Sequence, residues 1–134
     1  MIAAALVALA LQGSLDARAR EFHCDDPQNQ MEMNMCAGLD FERADAELNI
    51  LWRQVIASAR ARDRELDRRY DQRPTSEAKL REAQRAWLVF RDAHCTVQGY
   101  DEARGGSMEP MVYGACRAEL TRQRTAQLRG LGEQ

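Results

Sequence analysis

Apolar residues recur along most of this chain at intervals of three and four, the spacing of one face of an α-helix. The longest such series starts near Asn29 and stops before Pro74. Its members are Met33, Ala37, Phe41, Ala44, Leu48, Leu51, Val55 and Ala59, widened by Trp52 and Ile56. The pattern predicts one long amphipathic helix. Its end falls between residues 60 and 72, where charge on every side hides the boundary.

A second helix is predicted after Pro74. Thr75 suits its N-cap and Glu77 its first turn, because a hydroxyl accepts a free backbone N–H and a carboxylate complements the helix dipole. The apolar face runs as far as Cys95 and consists of Leu80, Ala83, Trp87, Phe90 and His94.

A third helix is predicted after the glycine pair 105–106, with Ser107 as its cap and Pro110 tolerated in the first turn. Gly130 is expected to end it. Its apolar side consists of Met111, Ala115, Leu120 and Leu128. The segment 96–106 between the second and third helices is expected to be an ordered, exposed loop.

Three helices with short connections predict an all-α fold, a small up-down bundle of three main helices. In that arrangement Cys36, Cys95 and Cys116 fall at the same end, and Cys24 can fold back to reach them. The bundle is therefore expected to be fastened at that end by disulfides.

The N-terminal run is predicted to be a secretory signal peptide covering residues 1–19. Residues 2–11 are apolar without interruption, and ten residues span about 15 Å, half of a bilayer's hydrocarbon core. A small-x-small cleavage site, Ala17-Arg18-Ala19, follows at a suitable distance. No Lys or Arg precedes the apolar run, and the alternative is an N-terminal core helix. The functional domain is then residues 20–134, in the periplasm or outside the cell.

All four cysteines follow this segment, and an even number behind a secretory signal predicts two disulfides. Their spacing leaves the pairing open. Zinc binding is the alternative, because His23 precedes Cys24 and His94 precedes Cys95, although the spacings are unlike those of zinc sites. No catalytic thiol is expected, because adjacent residues on a helix do not face each other.

The charge balance gives no sign of a nucleic-acid or anionic-membrane partner, with 19 basic and 21 acidic residues and a net charge of −2. Polar side chains nevertheless accompany the apolar stripes. Asp40 and Arg91 both lie about 6 Å from the crosslinked end and can pair, and Gln84 at about 16 Å lies between Asp45 and Asn49 at about 13 and 19 Å.

These five residues are predicted to form a structural polar seam that sets helix register. The alternative, an acid pair of Asp40 and Asp45 in a cleft, has no nucleophile, ligand cluster or phosphate loop beside it. We therefore expect no catalytic residue, no metal and no cofactor.

From Cys24 to about Leu128 the chain resembles the LprI-type lysozyme-inhibitor N-terminal domain family of small secreted or lipid-anchored helical proteins. The shared runs are 30–37 (QMEMNMCA), 44–49 (ADAELN), 83–88 (AQRAWL), 90–95 (FRDAHC) and 105–107 (GGS), followed by Cys116, Leu120, Thr121, Arg124 and Leu128. The resemblance implies lysozyme inhibition but supplies no active-site motif. Glu21-Phe22-His23 before Cys24 departs from the lipoprotein members, so no stable membrane anchor is expected.

An inhibitor of this kind is expected to occlude the lysozyme cleft with an exposed loop. The local candidates for partner binding are Tyr100, Asp101, Glu102 and Arg104, because an amphipathic aromatic beside charges suits a binding surface. The alternative is a structural or protein-interaction module of the cell envelope without lysozyme activity, in which this segment only connects two helices.

Overall fold

The computed structural model describes residues 2–132 and is entirely helical apart from turns and short connections over that range. Its four helices are α1 (Ile2–Glu21), α2 (Gln30–Arg64), α3 (Ser76–Ala103) and α4 (Glu109–Gly132). The predicted all-α fold is confirmed. The predicted three helices correspond to α2, α3 and α4, and α1 is additional.

The three long helices form the up-down-up bundle. Gly114 of α4 lies against Ala37 of α2, and further along the same two helices Leu128 packs with Leu48, so α2 and α4 run parallel. α3 runs in the opposite direction, since Gln84 near its start contacts Arg124 near the end of α4. α4 lies against both α2 and α3, and each of these two contacts is more extensive than the contact between α2 and α3.

The helix starts follow from their capping residues. Asn29 accepts the Glu32 N–H with its side chain at 2.9 Å, and the Glu32 carboxylate accepts the Gln28 N–H at 2.7 Å. The predicted Thr75 N-cap of α3 is confirmed, since its hydroxyl oxygen accepts the Ala78 N–H at 3.2 Å. These contacts satisfy backbone donors that the first turn leaves free.

The predicted loop at 96–106 is wrong, because α3 continues to Ala103. The Thr96 hydroxyl donates to the Asp92 carbonyl 2.8 Å away within the helix, and Gly99 packs against Glu109 of α4. The helix ends at its C-cap Arg104, whose ψ of 119° is not helical, and Gly105 follows with a φ of +73° that suits glycine.

Two other predicted boundaries are wrong, and the open one, the end of the first long helix, falls inside its predicted range. Ser107 does not cap the last helix, since α4 begins at Glu109. The carbonyl oxygen of Ser107 instead accepts a hydrogen bond from the Asn34 side-chain amide at 2.9 Å. α4 runs past Gly130 to Gly132. α2 ends at Arg64, which resolves the boundary that charge hid in the sequence.

α1 lies on the outside of α2. Among its described side chains only Leu15 is buried, and Leu6, Val7 and Leu9 are exposed. Two exposed ion pairs, Arg18–Glu42 and Arg43–Asp16, both 2.7 Å, tie its second half to α2. Within residues 2–132, no helix is both long enough and apolar enough to cross a membrane.

The buried residues divide the bundle into two halves. We call residues 47–89 and 121–132 the open half. It contains an apolar cluster of Leu48, Val55 and Leu128, against which Leu51, Trp52, Leu80 and Trp87 pack. We call residues 20–46 and 90–120 the disulfide half, in which the buried residues include Leu39, Ala44, Cys95, Val112, Cys116 and Ala118.

Candidate functional site

Two disulfides hold the disulfide half together. Cys24 pairs with Cys36, which ties the segment before α2 to that helix, and Cys95 pairs with Cys116, which ties α3 to α4. The pairing that the sequence left open is thus between neighbours in the chain. All four thiols are used, so the zinc alternative loses its cysteine ligands. No three His, Cys, Asp or Glu side chains in the described part of the chain are arranged to hold a metal ion.

The four candidate partner-binding residues lie at the end of α3 and in the turn that follows. Tyr100, Asp101 and Glu102 occupy the last turn of the helix, so helix geometry and not a loop positions them. The Arg104 guanidinium lies over the Tyr100 ring, 4.3 Å from its centroid, and Tyr100 remains 41% exposed. A cation against an aromatic ring is an attractive contact that holds both side chains in place.

The start of α2 lies beside this turn. The Asn34 amide donates to the Ser107 carbonyl oxygen, and the Gln30 amide lies 3.7 Å from the Met111 sulfur. Asp25 and Asp26, just before α2, are therefore at the same end of the bundle as Asp101 and Glu102, and all four are exposed. We call these four carboxylates the acidic tip. Exposed Met31, Met33 and Met108 add apolar surface at that end.

Charge is strongly segregated along the bundle. The disulfide half carries twelve acidic and five basic residues, a net charge of −7. The open half carries thirteen basic and seven acidic residues, a net charge of +6. The small net charge of the whole chain is therefore the sum of two ends of opposite sign, and each end produces its own electrostatic potential.

The residues of the predicted polar seam have different partners in the structure from those that the sequence predicts. Asp40 does not pair with Arg91, because it forms an ion pair with Arg122 of α4. Arg91 instead lies 3.5 Å from Asp45 and donates to Asp92 at 2.9 Å.

The rest of the seam borders a groove between α2 and α3. Asn49 donates to Asp45 at 3.1 Å, and Gln84 accepts from Arg124 at 3.0 Å. Asp45, Asn49 and Gln84 line this groove, whose volume is about 250 Å³. Burial lowers the pKa of the Arg124 guanidinium. The sequence prediction missed α4 as a partner because it considered only the two helices that carry the seam.

A stack of arginines and aromatic rings joins the three long helices, and sequence reasoning missed it. The Arg91 guanidinium lies 4.9 Å from the Phe41 ring centroid and 5.1 Å from that of Trp87. Arg117 lies 3.9 Å from Phe41 and 4.2 Å from Tyr113. The four-residue spacing of Tyr113 and Arg117 on one helix face is the one signal that could have suggested part of it.

These features define a class: a small helical protein fastened by two disulfides, with ends of opposite charge. The chain belongs to the family described as Lysozyme inhibitor LprI, whose model matches residues 24–128. This confirms the resemblance read from the sequence. The family is one of inhibitors, and together with the disulfides it indicates an extracytoplasmic protein.

One relative extends this comparison. The chain is 46% identical over 118 residues to an uncharacterized protein of Rhizobium meliloti (strain 1021), an alignment that covers 88% of this chain and 84% of the relative. No solved structure matches the chain.

Proposed function

We propose that this protein inhibits a basic lysozyme by docking its acidic tip across the substrate cleft of the enzyme. The observation that carries the proposal is the net charge of −7 on the half that also presents Tyr100 and Arg104. Family membership suggests that the target is a lysozyme, and the charge segregation suggests that the disulfide half binds it.

Electrostatic complementarity supports this orientation. A negative end turned toward a positive enzyme accelerates encounter and disfavours the reverse approach, because the +6 open half is repelled. Lysozyme hydrolyses its substrate with two carboxyl groups in the cleft. Arg104, held on Tyr100 at the edge of the acidic tip, supplies a guanidinium that can pair with one of them.

Rigidity at this end also favours inhibition. The Cys95–Cys116 disulfide lies two turns before the end of α3, and the Gly105 N–H donates to the Glu109 carboxylate at 2.6 Å in the turn that follows. Because little flexibility is lost on docking, the entropic cost of binding is small.

We also propose that residues 1–19 are a signal peptide that is removed on export. Exposure of the apolar residues Leu6, Val7 and Leu9 on α1 supports this, since a core helix would bury them. N-terminal sequencing of the exported protein is expected to begin at Arg20, and a start at Met1 would contradict the assignment.

The exported protein is to be assayed for inhibition of a basic, animal-type lysozyme on cell-wall substrate. The double variant Tyr100→Ala/Arg104→Ala is expected to raise the inhibition constant by about 100-fold or more, because central aromatic and arginine residues dominate binding energy. The matched control is Tyr70→Ala/Arg69→Ala, which removes the same residue types from an exposed cation–π pair in the open half. The control is expected to inhibit like the wild type, and both variants to keep the wild-type melting temperature.

Two results would contradict the proposal at different levels. Equal inhibition by the two double variants would show that Tyr100 and Arg104 are not the site. Failure of the wild-type protein to bind lysozyme at tens of micromolar would reject lysozyme as the target.

The alternative function, an interaction module for another envelope protein, is favoured by one observation. Val89, Phe90 and Val97 are more than half exposed on the outer side of α3. Such a cluster of apolar side chains suits a protein partner. If the wild type does not bind lysozyme, loss of an envelope partner on Phe90→Ser substitution would support this alternative.

A further inference from the structure

The connection between α2 and α3 carries a concentration of exposed arginines at the extreme end of the open half. Arg62 and Arg64 lie in the last turn of α2, and the residues that follow supply more. We call Arg62, Arg64, Arg68, Arg69 and Arg73 the basic patch; all five are exposed.

Of the four acidic residues in the same segment, Asp63 caps α3, Asp67 and Asp71 pair with neighbouring arginines, and Glu65 is exposed. The Asp63 carboxylate accepts the Ser76 and Glu77 N–H groups at 2.9 and 2.8 Å and so caps α3, and these bonds hold its pKa below the usual range. The Asp71 side chain is 28% exposed while that of its partner Arg73 is 84% exposed. For Asp67 and Arg69 the values are 42% and 82%. In both pairs the arginine is therefore more exposed than the carboxylate that it contacts.

Apolar surface accompanies these cations. Tyr70 is 86% exposed between Arg69 and Asp71, and Leu66 is partly exposed in the same connection. Neither side chain contributes to the apolar cluster of the open half. Tyrosine at the level of lipid headgroups, flanked by arginines, is typical of membrane-surface contacts.

We propose that the basic patch, together with Tyr70, binds the surface of a bilayer that contains anionic phospholipids. Guanidinium groups bind phosphate through two parallel hydrogen bonds, and exposed Arg62 and Arg64 can contact headgroups in this way. Arg69 and Arg73 already donate two hydrogen bonds each to Asp67 and Asp71 and contribute through their exposed positive charge. α2 has 35 residues and is about 50 Å long, so a bilayer bound at this end leaves the acidic tip about that far from the surface. This inference is independent of the proposed inhibition.

Vesicle co-sedimentation of the full chain tests the inference. Vesicles of phosphatidylcholine with 30 mol% phosphatidylglycerol are compared with pure phosphatidylcholine at about 0.05 and 0.3 M salt, because exposed charges are screened by salt. The test variant is Arg62→Ser/Arg64→Ser/Arg68→Ser. The matched control, Arg20→Ser/Arg43→Ser/Arg104→Ser, removes the same charge from exposed positions of the disulfide half.

The wild type is expected to bind the anionic vesicles and to be released at the higher salt. Each arginine near a charged membrane contributes about a fivefold change in partitioning, so the test variant is expected to bind about 100-fold more weakly. The control is expected to bind at least as well as the wild type, and Tyr70→Ser to weaken binding by a few fold. All variants should keep the wild-type circular dichroism and melting temperature, and the test variant should still inhibit lysozyme if the wild type does.

Four results would overturn the inference. Equal losses in the two triple variants would mean that net charge, and not the basic patch, controls binding. Equal sedimentation of the wild type with charged and uncharged vesicles would assign the membrane contact to the exposed apolar residues of α1, which all variants share. Absence of sedimentation with either vesicle, or full competition by millimolar inorganic phosphate, would reject a bilayer as the ligand.

Discussion

The disulfide half and the open half of this bundle are held together by different interactions. The open half packs Leu48, Val55 and Leu128 into one apolar cluster and has no crosslink. The disulfide half has both crosslinks and the arginine–aromatic stack centred on Phe41. Covalent bonds thus lie where large buried apolar side chains are few, as expected for a small extracytoplasmic domain with a modest core.

The two halves also differ in what they expose. One end presents carboxylates around Tyr100, and the other presents arginines around Tyr70. Substitutions in the interior of each half therefore test how much that half contributes to the stability of the whole bundle.

The largest effect is expected from the apolar cluster. Leu128→Ala should lower the free energy of unfolding by about 4 kcal/mol, because it removes a fully buried side chain and leaves a cavity. The matched control Leu131→Ala, three residues further along α4 at an exposed position, should cost less than about 0.5 kcal/mol. Denaturant unfolding measures both, and similar values would mean that the end of α4 does not hold the open half.

A smaller effect is expected from each disulfide. Cys95→Ala/Cys116→Ala should lower the free energy of unfolding by about 3 kcal/mol, since the crosslink closes a loop of 21 residues in the unfolded chain. Cys24→Ala/Cys36→Ala should cost less, because Cys24 and Cys36 are only partly buried and the loop has 12 residues. The reverse order would show that the segment before α2 contributes more to the fold than the contact of α3 with α4.

The smallest effect is expected from acidification, at the junction of α2 and α3. Ion pairs with Arg60 and Arg81 lower the pKa of Glu77 to about 2, and backbone N–H groups lower that of Asp63. A carboxyl group whose pKa is lower in the folded protein stabilises it above the unfolded pKa, near 4.5, and loses that contribution as the pH falls toward 2.

The protection factors of the amides around the junction, which are exchange rates corrected for their intrinsic pH dependence, should therefore fall between pH 4.5 and 2. Glu77→Gln should flatten that dependence, and Glu47→Gln, at an exposed position of α2, should not. The effect is small because the ion pairs are exposed. An unchanged pH profile in Glu77→Gln would contradict the assignment.

Much of the fold was predictable because local signals agree with packing. Thr75 and Glu77 after Pro74 mark the start of α3 by capping chemistry that depends only on neighbouring residues. The end of α3 was not predictable in this way. Polar residues after Cys95 suggest a loop, but the chain stays helical through them as far as Ala103, and Gly99 fits against Glu109 only in the folded bundle.

The candidate site was predictable in composition but not in arrangement. Tyr100 and Arg104 are candidate binding residues by their chemistry alone, and the structure stacks them at their four-residue spacing. The charge segregation was missed because net charge averages over both ends, and it becomes visible only when helix direction assigns each residue to a half. The partners of Asp40 and Gln84 were missed because both come from α4.

The parallel orientation of α2 and α4 has a consequence for the backbone itself. Within the three long helices α2, α3 and α4, without α1, two point one way and α3 points the other, so their dipoles do not cancel: a surplus of partial positive charge remains at the disulfide end and of partial negative charge at the open end. Glu32 and Glu109 in the first turns, and Arg62, Arg64 and Arg129 in the last turns, oppose that surplus. The segregation of charged side chains along the bundle is thus also the one that the dipoles of α2, α3 and α4 favour.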